Sequence, residues 1–221
     1  MALLGRISMC LDSSSILPTD VRFVFKGEGG IVKEVKAQKL ILAIASDVFE
    51  REFYGTMKEA EEDIEIKDAS QEVFMIMIKY IYNTKIEWAD HNLRFLSSLY
   101  YLGEKYNIVQ LRKDIIASIT EYEVSLENVL DVAILAEENI VHADLSESLY
   151  KTAASFLVSN FGGMLDPAIE FFSQIEESEL HGLVVLKLMA RMRLVPSPIC
   201  ENCQQEKIFC LENNILFCSN N

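Results

Sequence analysis

Between Asp20 and Tyr82 the chain changes its hydrophobic period three times, and this limits what it can fold into more than any other property. Val21, Phe23 and Phe25 alternate with Arg22, Val24 and Lys26, which predicts a half-buried strand. Gly27, Gly29 and Gly30 supply a hairpin turn, and the return strand is expected over residues 31–37. From Lys39 to Tyr54 the repeat becomes helical, with Leu40, Ile44, Val48 and Phe49 in register and Ala43 and Ala45 permitting close packing. Ser46-Asp47 either interrupts this run or caps a second helix. Ile64 and Ile66 alternate in a short strand. Asp68 or Ser70 then caps a helix bearing Phe74, Met77, Ile78 and Ile81 at i, i+3, i+4 and i+7. Met75, Ile76, Tyr80 and Tyr82 occupy its other faces, so burial nearly all round is expected. Lys85–Trp88 reads as a short edge strand.

Beyond Trp88 the pattern is helical throughout. Leu93, Leu96, Leu99 or Tyr100, and Tyr106 mark one helix, and Leu111, Ile115, Ile119 and Tyr122 the next. After a break at 123–125, Leu126, Val129, Leu130, Ala133, Ala136 and Ile140 keep the same spacing. Asp144 and Glu147 read as a capping pair ahead of a helix through Leu149, Ala153, Leu157 and Phe161, which Gly162-Gly163 ends; Pro167 starts another. Short polar breaks between helices predict antiparallel hairpins, so the class is α+β followed by an all-α segment. Ahead of the strands, Leu3 or Leu4, Ile7 and Leu11 fit a short amphipathic helix over residues 2–12, broken by Pro18-Thr19.

The 221 residues are half apolar and carry a net charge of −14, which disfavours nucleic acid, since phosphate binding needs clustered cations. The N-terminal residues lack a signal-peptide core, and no stretch approaches the roughly 20 apolar residues of a membrane span. The expected location is cytoplasmic or nuclear. No catalytic constellation stands out: His91, His142 and His181 are isolated, and GEGG is followed by Ile31-Val32 rather than the Lys-Ser/Thr of a phosphate loop. An enzyme is not expected. Glu59, Glu61, Glu62, Asp63 and Glu65 form an acidic run, read as a solvated loop or a partner-facing patch. Four of the five cysteines, Cys200, Cys203, Cys210 and Cys218, fall in the last 22 residues. Cys200-x-x-Cys203 has the spacing of a zinc knuckle that Cys210 and Cys218 would complete with thiolates; the alternative is a tail of reduced thiols without a cofactor.

Several separated blocks agree in order with one family. Asp20-Val21, Ala37-Gln38-Lys39-Leu40, Ser46-Asp47-Val48-Phe49, Phe53-Tyr54-Gly55, Ile64-Glu65-Ile66 and Lys79-Tyr80-Ile81-Tyr82 together resemble the BTB/POZ core. SDVFEREFYG and KYIYNTKI are most similar to BTB-BACK proteins related to the BTB-BACK-PHR group. Residues 124–188, including Leu126–Ile140 and Phe171–Ile175, resemble a shortened BACK domain. The implied organisation is an N-terminal arm at 1–19, a BTB/POZ domain at 20–123, a partial BACK-like region at 124–190 and a cysteine-bearing tail at 191–221. The BTB part is implied to be a small mixed sheet flanked by helices. Gln38 stands where many members have His, and no kelch, MATH, PHR or zinc-finger pattern is read after the helices.

The resemblance also implies partners. Family members dimerise through the N-terminal helix and strand and the first core helix, which gives Leu3, Leu4, Ile7 and Leu11 a place in a homodimer interface; the alternative is a helix folded back on its own domain. A hydrophobic-x-Glu motif contributes to cullin-3 binding in many members, and Met57-Lys58-Glu59 matches it; the alternative is an exposed loop with an incidental methionine. Helices at 126–140 and 146–161 would support that contact. The implied function is a dimeric, non-catalytic adaptor that docks on a cullin-3 ubiquitin ligase and brings it a substrate protein. The alternative is a homo- or hetero-oligomerisation or regulatory scaffold without a ligase role.

Overall fold

The computed structural model describes residues 18–26, 32–55, 63–161, 184, 187–188, 207–210 and 215–218. The chain forms two compact units, one ending at Ser118 and the other beginning at Ile119.

In the first unit, β1 (Val21–Lys26) pairs antiparallel with β2 (Val32–Ala37) and parallel with β3 (Asp63–Glu65). The order is therefore β2-β1-β3, with the earliest strand in the middle. Alternation along β1 works as the sequence predicts: Val21, Phe23 and Phe25 are buried, while Arg22 and Lys26 face out. Between β2 and β3 the chain runs through α1 (Lys39–Ala45) and α2 (Asp47–Tyr54). After β3 come α3 (Gln71–Ile81), α4 (Leu93–Lys105) and α5 (Val109–Thr120).

Aromatic rings form the centre of this core. Phe74 on α3 lies 4.7 Å from Phe23 and 5.4 Å from Phe25, centroid to centroid. Phe49 on α2 stacks on Tyr106 at 4.2 Å. Such pairs add about 0.5–1.5 kcal/mol each beyond area burial, and they join the sheet, α2, α3 and the end of α4 in one cluster. On the outer face of the sheet, Arg22 reaches Glu34 on β2 and Asp63 on β3, which ties three strands together. The Arg22 guanidinium holds the Asp63 carboxyl below its usual range.

Polar caps set where the helices begin. Ser46 caps α2 by accepting from Phe49 N, so the Ser46-Asp47 break separates two helices. Its hydroxyl also donates to the Tyr106 carbonyl at 2.5 Å. Ser70, rather than Asp68, caps α3 through Val73 N at 3.3 Å. Asp68 instead accepts from Lys105 and Tyr101 on α4, and its carboxyl is held below the usual range chiefly by the Lys105 hydrogen bond. Asn83 and Asn107 take left-handed φ angles of 57° and 52° just past α3 and α4, a conformation Asn tolerates. Gly103 on α4 lets α5 approach closely, since a Cβ there would lie 3.0 Å from Arg112 Cγ.

Four local expectations need correction. Lys85–Trp88 is not a strand: Asp90 N and His91 N bond back to Glu87 O and Trp88 O, which closes a 3-10 turn over Trp88–Asp90. On α3 only Val73, Phe74, Met77 and Ile78 are buried, while Met75, Ile76 and Tyr80 are half-buried, because the sheet and α4 cover one side of the helix. In the second unit, α6 (Val129–Glu138) is shorter than its hydrophobic spacing, leaving Leu126 and Ile140 exposed in the flanking turns. α7 (Ala143–Phe161) begins before Asp144, which lies in its first turn rather than at its cap. His142 O supplies the first acceptor there, to Ser146 N at 2.9 Å.

α6 and α7 pack along each other, burying Val129, Val132, Ala133 and Ala136 on one and Leu145, Leu149, Ala153 and Leu157 on the other. Val184 and Leu188 are also fully buried in this unit. β4 (Lys207–Cys210) and β5 (Ile215–Cys218) make an antiparallel hairpin. No helix among the described residues is long and apolar enough to cross a membrane.

The buried contact between Gln38, at the start of α1, and Tyr82, at the end of α3, is the most direct polar link between those helices. Gln38 N donates to Tyr82 Oη at 2.8 Å, and Tyr82 Oη donates to Gln38 Oε1. Tyr82→Phe removes both bonds without a large change of shape. It is expected to lower the unfolding free energy by about 1–3 kcal/mol in urea titration.

Candidate interaction surface

Helix α1 has the sequence KLILAIA, with Lys39 its sole polar residue. A helix apolar on every side ordinarily lies inside a protein. Yet only Leu42 is buried here. Leu40 is 61% exposed and Ile44 80%, while Ile41 and Ala43 are half-buried and Ala45 is exposed. Scattered surface apolar residues are ordinary, but here Leu40, Ile44 and Ala45, half of the apolar residues of one helix, are exposed together.

The orientation is fixed from both ends. At the start, Gln38 N is held by Tyr82 Oη at 2.8 Å and Lys39 N by Asp20 Oδ1 at 2.7 Å. At the end, Ser46 leaves the helix in an extended conformation (φ −149°, ψ 119°) and is bonded to the Tyr106 carbonyl. These anchors turn Leu42 toward the core and leave Leu40 and Ile44, one helical turn apart, facing out. No carboxylate lies in the first turn of α1 and no further cation in its last. Lys39 Nζ sits 5.9 Å above the Phe53 ring on α2, where cation–π attraction draws it to the flank. The helix itself thus carries no charge beyond Lys39, with the Asp20 carboxylate at its start, on a chain with a net charge of −14.

Sequence reading put Leu40 and Ile44 in register with Val48 and Phe49, and the structure separates them: Phe49 is fully buried and Val48 half-buried, whereas Leu40 and Ile44 are exposed. Periodicity has no polar face to orient a helix like KLILAIA, and the Ser46 break resets the phase before α2. The absence of polar residues after Lys39 is the signal in the sequence that could have singled α1 out.

Of the residues singled out from sequence, Leu3, Leu4, Ile7 and Leu11 lie outside the described residues, as do Met57, Lys58 and Glu59 and the pair Cys200 and Cys203. Cys210 ends β4, paired with Ile215, and Cys218 ends β5, paired with Lys207. Among the described residues no group of three His, Cys, Asp or Glu could hold a metal ion.

A family model for the BTB/POZ domain matches residues 13–123. BTB/POZ domain-containing protein 6-B of Danio rerio is 40% identical over 112 residues, which is 50% of this chain and 22% of that protein. BTB/POZ domain-containing protein 6 of Homo sapiens is 38% identical over 112 residues, 50% of this chain and 19% of that protein. BTB/POZ domain-containing protein 3 of Homo sapiens is 35% identical over 97 residues, covering 44% and 18%. The chain thus spans about a fifth of the length of the first curated relatives it matches. Among solved structures, the BTB domain of zebrafish PATZ1 is similar, with 20% identity and a TM-score of 0.42 over 54% of this chain and 90% of that one.

The inward and outward residues of α1 respond unequally to truncation. Leu42→Ala is expected to cost about 2–5 kcal/mol of folding stability, and Ile44→Ala at low protein concentration no more than about 0.5 kcal/mol. Denaturant unfolding of both variants measures the contrast.

Proposed function

The chain belongs to the BTB/POZ family, and from that membership we propose that it is a self-pairing adaptor whose first core helix forms the centre of the pairing face. BTB proteins are protein-interaction modules, and the small mixed sheet flanked by helices described above is the BTB fold. The observation that carries the proposal is the outward apolar surface of α1, with Leu40 61% and Ile44 80% exposed. A second copy suits this surface. Two chains of net charge −14 repel each other least where a patch carries few charges, and α1 itself has no carboxylate, with Asp20 bonded at its start. In an isologous dimer the same helix meets itself, so an uncharged apolar face is self-complementary. Leu3, Leu4, Ile7 and Leu11 would enlarge the buried area toward the roughly 2,000 Å² or more of an obligate dimer.

The adaptor part of the proposal is docking on cullin-3. It rests on Met57-Lys58-Glu59, placed after the first core helices, where an adaptable Met fills an apolar groove and Glu accepts a charge-assisted bond at its edge. Helices α6 and α7 would then serve as the supporting pair of a shortened BACK-like region, in the manner of the BTB-BACK group related to BTB-BACK-PHR proteins. The whole would hold a substrate protein near a ubiquitin ligase in the cytoplasm or nucleus, and no catalytic step falls to this chain.

Size-exclusion chromatography with light scattering, with and without cullin-3, tests both parts. Expected are twice the chain mass alone and a stable complex with cullin-3. Ile44→Asp is expected to give a folded monomer. Raising salt from ~50 to ~300 mM is expected to tighten self-association, because screening removes like-charge repulsion while the apolar contact persists. Met57→Ala with Glu59→Ala is expected to abolish cullin-3 binding and leave the dimer intact. A dimer that ignores cullin-3 would make the chain an assembly module without a ligase role; a monomer under all conditions would refute self-pairing.

A further inference from the structure

Arg112, on α5, carries a guanidinium that the fold leaves unused. Its Nε is buried without a hydrogen-bond partner, and no carboxylate among the described residues pairs with it. Arg22 and Arg51, by contrast, both sit in ion pairs with carboxylates. Arginine does not shed its proton in a protein, so the charge on Arg112 persists. A covered donor without an acceptor works against folding, and nothing in the chain offsets it. The stem of the side chain lies against α4, where a Cβ at Gly103 would come within 3.0 Å of Arg112 Cγ. Packing on that side restricts how the guanidinium can swing, while its two Nη nitrogens stay within reach of solvent.

The neighbours of Arg112 on α5 give this cation an apolar setting. Val109, Arg112 and Ile116 fall at i, i+3 and i+7, along one side of the helix. Val109 is 46% exposed and Ile116 half-buried, and Lys113 is exposed beside them. The one carboxylate of α5, Asp114, belongs to the opposite flank. There it accepts from Tyr80 Oη and from Gln110 Nε2, each at 2.7 Å. The Arg112 side of α5 is therefore a strip of apolar, cationic and apolar residues with no anion of its own.

We propose that this strip docks an amphipathic helix of a partner protein, one that sets a single carboxylate between apolar side chains. The carboxylate takes the two Nη donors of Arg112 in a forked pair, and the apolar residues cover Val109 and Ile116. A helix suits the strip because a ridge at i, i+3 and i+7 packs into the groove between the rows of another helix. A densely acidic partner does not suit it, since a chain of net charge −14 repels such a segment before contact. One carboxylate held against one unpaired guanidinium escapes most of that repulsion, which salt screens beyond about 8 Å. The surface is separate from α1 and from Met57-Lys58-Glu59, and it depends on neither self-pairing nor cullin-3 docking.

Selection from a phage-displayed library of amphipathic helices against the full chain, followed by fluorescence anisotropy of the selected peptides, tests this. The peptides are expected to share a Glu or Asp between apolar positions. Arg112→Gln and Val109→Asp are each expected to weaken binding by about tenfold or more, and Arg112→Lys, which keeps the charge but not the fork, by less. Changing the shared Glu of a peptide to Gln is expected to cost as much as Arg112→Gln, with the two changes together costing little more than either. Ile44→Asp is expected to leave peptide binding unchanged. Because the guanidinium has no partner within the chain, Arg112→Gln is also expected not to lower the midpoint of urea unfolding. Failure to select any peptide would overturn the proposal, as would peptides without a shared carboxylate or binding that survives Arg112→Gln. A clear fall in the unfolding midpoint with Arg112→Gln would overturn it too, by giving the guanidinium a structural role.

Discussion

Everything that distinguishes the outer surface of α1 from its inner one follows from the rotation of a seven-residue helix, and that rotation is set by hydrogen bonds at its ends. The helix has no polar face of its own to choose an orientation. Gln38, buried against Tyr82, and Lys39 N, bonded to Asp20, fix the entry. Ser46, bonded to the Tyr106 carbonyl, fixes the exit. Leaving the buried groups of Gln38 or Ser46 without a partner costs on the order of 1–3 kcal/mol, comparable to what is gained by turning one more leucine inward. The polar framework therefore decides which apolar side chains the core receives and which remain available to a partner.

Most of the first unit was legible from residue pattern alone. The alternation in β1, the Ser46 break, the strand around Ile64 and the helical phases of α4 and α5 all correspond to observed elements. The failures have a common cause. At Lys85–Trp88 the alternation is real, but backbone bonds from Asp90 and His91 draw Trp88 into a turn. At Leu126 and Ile140 the spacing continues after the helix has stopped, since periodicity registers where a side chain would point and not whether the backbone ladder continues. On α1 periodicity had nothing to measure against. Leu40 and Ile44 became identifiable as surface residues only when the tertiary bonds at either end were known.

Charge and apolarity are divided between surfaces in a consistent way. The outer face of the sheet is a lattice of compensating ions, with Arg22 between Glu34 and Asp63 and Lys26 beside Glu65. Such pairs contribute little to stability where solvent reaches them, but they leave no unbalanced field on that side. α1 is nearly free of ions. A strongly acidic chain thus limits the net charge of one surface by pairing and of another by omission, and of the two the second is the one with exposed Leu40 and Ile44.

Placing the earliest strand at the centre of the sheet has a consequence for how the protein emerges during synthesis. β1 can pair with β2 as soon as the hairpin has been made, yet its other edge stays open until the chain has been extended from Ala37 to β3 at Asp63–Glu65. Through that interval Phe23 and Phe25 lack the α3 ring they later pack against, because Phe74 is translated last of the three. The nascent chain therefore carries a half-finished sheet with its aromatic side uncovered, and the ribosome's pace over residues 38–74 sets how long that state must avoid other nascent chains.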